Sequence, residues 1–216
     1  MNMTDSKPTE SSSEESGKKF ELMTALVLAI FAAILAATDL GGGKYGDDEI
    51  IGANEKASIY SWYQSKSVKQ SLLEGQKDLT KTLMESGAID QDKLSSLESL
   101  AKKLDEDILR YKKEKTELLL GSTAVGKENW VQDIDGELGK VVGAKEWEKK
   151  LDILGRAGDK FDRSVLFLQL CLVMGAVSLV VQAVRLKWVF FGAMVLLGIL
   201  GVATSVQAFL IAMAAG

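Results

Sequence analysis

The chain has 216 residues, a formal charge of −4 and a mean hydropathy of +0.08, averages that hide a partition between apolar ends and a charged middle. It has no His, which excludes an imidazole base or imidazole metal ligand, and one Cys, which excludes an internal disulfide. Residues 41–163 carry 21 Lys/Arg against 24 Asp/Glu, a mixed solvated surface and not the basic footprint that nucleic acid needs.

The chain opens on a polar, Ser/Glu-rich stretch, MNMTDSKPTESSSEESG, with no apolar periodicity. Such a stretch buries too little to offset its ordering entropy, so residues 1–19 are expected to be a disordered tail. Lys18-Lys19 then precede Leu22–Thr38, 17 uncharged residues bounded by Glu21 and Asp39. Two readings compete, a secretory signal peptide and an uncleaved transmembrane helix. The run is longer than the usual apolar region of a signal peptide and its preceding tail is long and acidic, which favours the helix over 20–40. Ala25, Ala29, Ala33 and Ala37 recur every fourth residue. In lipid, small residues at that spacing let helices approach closely, within a protomer or between protomers, although Ala is also simply common in membrane helices.

Gly41-Gly42-Gly43 reads as a hinge before a long helix over about 46–85. Ser86-Gly87-Ala88 breaks that helix, and Asp90 can cap the next, over about 90–120. In this second helix Leu94, Leu97, Ala101, Leu104, Ile108, Tyr111, Lys115 and Leu118 alternate by three and four, the seam of a coiled coil. Val68, Leu72, Leu79 and Leu83 offer a partner stripe, so an antiparallel helical hairpin is expected. Residues 121–143 hold five glycines and read as short helices or loops. GSTAVGKE ends in Gly-Lys but lacks the spacing and the Ser/Thr of a phosphate loop. Trp147, Leu151, Leu154, Gly158, Phe161 and Val165 mark an amphipathic helix over 144–163.

The C-terminal part supplies two more apolar runs. Ser164–Val184 has 21 residues without charge, Arg185-Leu186-Lys187 interrupt, and Trp188–Gly216 continues for 29. About 20 apolar residues cross a bilayer core, so transmembrane helices are expected over 164–184 and 188–214, joined as a hairpin. Trp188 suits an interfacial anchor. Gly198, Gly201, Ser205, Ala208 and Ala212 form a second small-residue stripe for helix packing. No charge interrupts any span, and Gln169 and Gln207 remain as intramembrane polar residues that could bond to each other as structural glue. Lys18-Lys19 and the Arg185–Lys187 turn fall on one side, which the positive-inside bias assigns to the cytoplasm. The middle domain is then extracytoplasmic.

Two strings carry a resemblance. Tyr60–Lys69, YSWYQSKSVK, and Phe161–Gln169, FDRSVLFLQ, resemble motifs of a bacterial membrane family known as domain-of-unknown-function family 4337. Tyr63, Gln64, Lys66, Ser67 and Lys69 match its first string, with Ser65 in place of Ala and Val68 in place of Ile. Phe161, Asp162 and Gln169 match the second, and the likeness covers about Leu22–Leu210. The resemblance implies one N-terminal span, a helical middle, a C-terminal hairpin and a bacterial inner-membrane location. It implies no activity. On a helix, Tyr63, Gln64, Lys66 and Lys69 form either a docking surface for an anionic group or aromatic packing with lysines reaching outward; aromatics at helical spacing are mostly core, which favours packing.

The expectation is an all-α, three-span, non-enzymatic protein without a cofactor. Its partners would be the lipid bilayer and further copies of itself, or another membrane protein for which it serves as scaffold. An accessory subunit of a transporter or channel is the alternative.

Overall fold

The computed structural model describes residues 9–87 and 89–215. It is all-α: α1 Thr9–Glu85, α2 Gln91–Leu120, a short α3 Ser122–Val125, α4 Ala144–Val180 and α5 Val184–Met213. A two-stranded hairpin, β1 Asp133–Ile134 and β2 Glu137–Leu138, lies between α3 and α4. Parts of α1, α4 and α5 are each long and apolar enough to cross a membrane. The chain divides into two compact units, Met1–Glu49 with Ile153–Gly216, and Ile50–Asp152.

Three element boundaries differ from those expected. Residues 1–8 of the expected tail lie outside the described residues, and from Thr9 onward the chain is helical. A Glu15–Lys19 pair at 2.7 Å, one helical turn apart, supports that early turn. The expected hinge at Gly41–Gly43 is absent, because α1 runs through it. Glycine costs a helix about 1 kcal/mol against Ala, and packing offsets that here. A Cβ on Gly41 would stand 2.6 Å from Cε1 of Phe209, and one on Gly42 would touch Phe161. The last turn is displaced as well. α4 ends at Val180 and α5 begins at Val184, so Arg185–Lys187 form the first turn of α5 and do not interrupt the hairpin. Ser178 donates to the Lys187 carbonyl at 3.0 Å, and the Lys187 ammonium lies 3.8 Å from Glu21. Those bonds hold the chain reversal four residues earlier than the charges suggested.

The first unit is a three-helix interlock of small residues against large ones. Phe31 sits on Gly198 and Thr38 on Ser205, seven residues apart on each helix, so α1 and α5 run parallel here. Ser164 bonds the Gly201 carbonyl and Ser178 the Lys187 carbonyl, fourteen residues apart on each, so α4 runs antiparallel to α5. Leu168 fills the space above Gly201, and Leu28 with Met194 fills that above Gly175. Phe31, Leu168, Cys171 and Met194 form one core cluster, and Ala157, Phe161, Ala208 and Ala212 another. Aromatic groups lie at both ends: Phe20, Trp188 and Phe191 at the turn, Tyr45, Phe161 and Phe209 at the other.

A side chain at position 198 has nowhere to go, since a Cβ there would overlap the tip of the Phe31 ring. Gly198→Ile should therefore destabilise the unit by about 1–3 kcal/mol, the usual cost of overpacking. Thermal unfolding in detergent should show the loss, and Phe31→Ala in the same chain should recover part of it. An unchanged midpoint would refute the interlock.

Candidate functional site

The small-residue stripes separate in the structure. Gly198, Gly201, Ser205, Ala208 and Ala212 are all buried, and α5 uses them to seat α1 and α4. Ala25, Ala29, Ala33 and Ala37 are all exposed. The buried face of α1 is instead Thr24, Phe31 and Thr38, with Val27, Leu28, Ile34 and Leu35 beside them. The Ala face is thus unused within the unit.

The expected Gln169–Gln207 contact does not form. On the α4–α5 alignment, Gln169 stands opposite position 196, so Gln207 is eleven residues away along the helix, about 16 Å. Gln169 is exposed, and Gln207 accepts from Lys160 at 3.1 Å. The polar contacts inside the interlock are hydroxyls. Thr38 donates to the Ile34 carbonyl at 2.8 Å, so Ser205 is the donor in the 2.8 Å Thr38–Ser205 bond. Ser164 donates to the Gly201 carbonyl at 2.7 Å. Each hydroxyl is satisfied, as burial in an apolar setting requires.

In the second unit, α2 packs on α1 with contacts in opposite chain order: Lys66 meets Glu114 at 2.5 Å and Lys77 meets Asp105 at 2.5 Å. Of the α2 seam residues, Leu104, Ile108 and Leu118 are buried, while Leu94, Leu97, Ala101, Tyr111 and Lys115 are half-buried. The face they meet is a different one from that expected. Val68, Leu72, Leu79 and Leu83 are exposed, and α1 turns Tyr63, Lys66, Gln70, Lys77 and Thr80 inward. The polar partners select this face. Lys66 neutralises a carboxylate with 6% residue exposure, Lys115 bonds Gln70 at 3.2 Å and lies 5.1 Å over the Tyr63 ring. Glu114 with its carboxylate on α2 would otherwise be buried against an apolar row, at several kcal/mol. The docking string divides accordingly: Tyr63 and Lys66 are taken up in the seam, and Gln64 and Lys69 point to solvent.

Glu117 is the residue that periodicity alone did not disclose. It is fully buried, yet its carboxylate accepts from Ser122 at 2.7 Å, from the Val131 amide at 2.9 Å and from the Gln132 amide at 2.8 Å. Residues 121–143 fold around it. The Ser122 amide donates to the Val141 carbonyl, and the Val141 amide to the Ser122 hydroxyl, both at 2.9 Å. Trp130 donates its indole N–H to the Ser122 carbonyl at 2.7 Å. The glycines are consequences of that closure. A Cβ on Gly143 would stand 2.9 Å from Cα of Gly121, and one on Gly139 would strike the Trp130 ring at 2.5 Å. Asp135 and Gly136 both take positive φ, the two-residue turn that Asp-Gly favours, and join β1 to β2. That dipeptide was the available sequence signal for the hairpin.

Beside this loop, Tyr60 donates to Glu148 at 2.9 Å, and that hydrogen bond, which ionisation would forfeit, holds the phenol above its ordinary pKa of 10.0, with desolvation and the Glu148 charge adding to it. Lys77 is likewise raised, mainly by its bond to Asp105. A cleft of about 300 Å³ is lined by Trp62, Trp147, Leu118, Ile134 and Val141, with Glu55 and Lys140 at its polar positions.

These arrangements define an all-α protein with membrane-length helices, in which Ser164 and Ser205 tie helices together and Glu117 ties a loop. The chain belongs to the family described as domain of unknown function (DUF4337), whose model matches residues 20–211. Neither a search of curated proteins nor a search of solved structures gives a match.

Replacing Glu117 tests the loop. In Glu117→Gln the amide nitrogen must face a backbone N–H or the Ser122 hydroxyl, so one buried bond is lost or reversed. The second unit should lose about 1–3 kcal/mol. Denaturant unfolding followed by tryptophan fluorescence should show the drop, and an unaltered midpoint would remove Glu117 from the centre of the loop.

Proposed function

We propose that this chain is a non-enzymatic, three-span protein of a bacterial inner membrane that self-associates, or scaffolds a membrane complex, through a coiled-coil-like helical module formed by its second unit. The observation that carries the reading is the bare stripe on α1. Val68, Leu72, Leu79 and Leu83 are 61%, 62%, 61% and 40% exposed, on one helical face. Gly75 lies in the same stripe with open space around it. A single exposed Leu needs no explanation, but a row at helical spacing does. A second helix laid along it would remove that surface from water at about 25 cal/mol per Å², and the glycine allows close approach. The exposed Ala25, Ala29, Ala33 and Ala37 face supports the same reading for the first unit, because lipid-embedded helices associate through such faces.

The orientation that goes with this reading puts the N-terminus and the α4–α5 turn in the cytoplasm and the middle of the chain in the periplasm. Lys18, Lys19, Arg185 and Lys187 support it, with Lys187 beside Glu21 at the turn end of the first unit. The non-enzymatic reading rests on the absence of His from the sequence and on the structural commitments of Glu114 and Glu117.

Native mass spectrometry of the gently extracted full chain should give a discrete homo-oligomer. The double substitution Leu72→Lys with Leu79→Lys should shift it to monomer at unchanged helical content. A wild-type monomer without companions would overturn the proposal, and stoichiometric recovery of another membrane protein would move it to the accessory-subunit role. For orientation, Ser96→Cys in a Cys171→Ala background should react with an impermeant maleimide in intact cells. Labelling only after lysis would reverse the topology.

A further inference from the structure

The turn end of the first unit carries a groove at the N-terminal edge of the exposed Ala face. Its walls are Leu22 and Ala25 of α1 and Leu179 of α4, with Lys18 and Glu21 at its mouth, and its volume is about 640 Å³. The wall is low at position 25 because alanine stands there, so the groove stays open along the helix. The aromatic cluster sits at the same level of α1 as its mouth, residues 18–22. Phe20 packs edge-on against Trp188 at 5.0 Å, and Phe191 joins both at 5.6 and 5.8 Å. Aromatic side chains gather at the headgroup level of a bilayer, which sets the mouth at that level and the apolar walls in hydrocarbon.

The charges around the mouth are unbalanced. Lys19 is held by Glu15 at 2.7 Å, and Lys187 by Glu21 at 3.8 Å. Lys187 also lies 5.9 Å over the Phe20 ring, on the turn side. Lys18 makes no ion pair among the described residues, and Arg185 at the same turn is exposed. The Glu21 carboxylate is drawn toward Lys187, which leaves Lys18 as the cation that faces the groove.

We propose that this groove is a site for one anionic phospholipid, with its phosphodiester at Lys18 and an acyl chain along Leu22, Ala25 and Leu179. The proposal rests on the membrane reading above. A single negative headgroup matches the one lysine lining the groove, which has no ion pair among the described residues, and the acyl chain matches the apolar walls at Leu22, Ala25 and Leu179. Glu21 makes a lipid with a free ammonium the competitor to exclude, since that ammonium could seek the carboxylate.

The test uses the full chain in mild detergent with phosphatidylglycerol and phosphatidylethanolamine added in equal amounts, and native mass spectrometry as the readout. The wild type should retain phosphatidylglycerol over phosphatidylethanolamine by about fivefold, the weight of one lysine near an anionic surface. Lys18→Gln should abolish the preference. Leu22→Gln should put a polar amide on the acyl wall and reduce retention of both lipids. Both positions are exposed, so the unfolding midpoint should not move with either substitution. Equal retention of the two lipids by the wild type, or a preference indifferent to both substitutions, would overturn the site while leaving the membrane reading intact. Release of the chain from membranes by alkaline carbonate would overturn both.

Discussion

Phe31 seated on the Cβ-less surface of Gly198 is the contact on which the first unit depends. In the proposed bilayer, apolar side chains gain nothing by leaving lipid for each other, so helices must be held by shape and by hydrogen bonds. Dispersion between one pair of atoms is about 0.1–0.2 kcal/mol and falls off steeply with any gap, so only a dense interlock accumulates a useful total. Gly175 beneath Leu28, Gly198 beneath Phe31, Gly201 beneath Leu168 and Gly41 beneath Phe209 repeat that arrangement along the bundle. The hydroxyls of Thr38, Ser164 and Ser205 close the remaining polar positions between the helices. The continuity of α1 through three glycines follows from the same constraint, because two of those glycines are seats for aromatic rings.

The second unit solves a different problem. In the proposed arrangement water competes for its polar groups, and it uses polar contacts to choose one packing among several. α1 carries both an apolar row and a polar face, and burial alone would favour the row. The buried Glu114 on α2 decides otherwise, because it needs Lys66 and leaves the apolar row outside. Glu117 acts similarly on the loop that follows. Its two oxygens gather Ser122, Val131 and Gln132, and the glycines then fit around the closed loop. A carboxylate bonded in this way is a fixed point of the fold.

Much of this was legible in the residues, and what was not has identifiable causes. Apolar runs of membrane length at Leu22–Thr38, Ser164–Val184 and Trp188–Gly216 mark three long helices, because length and composition are local properties. The stripe from Gly198 to Ala212 stands out because five small residues share one face. The exposed Ala25–Ala37 row also keeps to one helical face and has no partner among the described residues, so a shared face alone does not say whether a stripe is used internally. Gln169 and Gln207 are both polar residues in apolar runs, but composition does not set alignment. Ser164 and Ser178 do, by bonding carbonyls on α5.

The sequence by itself determined the class of structure: helical throughout, apolar at both ends, charged between, without His and with a lone Cys. Those properties follow from side-chain chemistry and from periods of three and four residues. Only the tertiary structure decided which face of α1 meets α2, where α4 ends, whether the triple glycine bends, and which polar groups are paired. Three of these depend on a partner distant in the chain, Glu114 for Lys66, Phe209 for Gly41 and Ser205 for Thr38, and the end of α4 on a bond across the turn, from Ser178 to Lys187. A residue pattern states what a helix can bury, and the neighbour that arrives decides what it does bury.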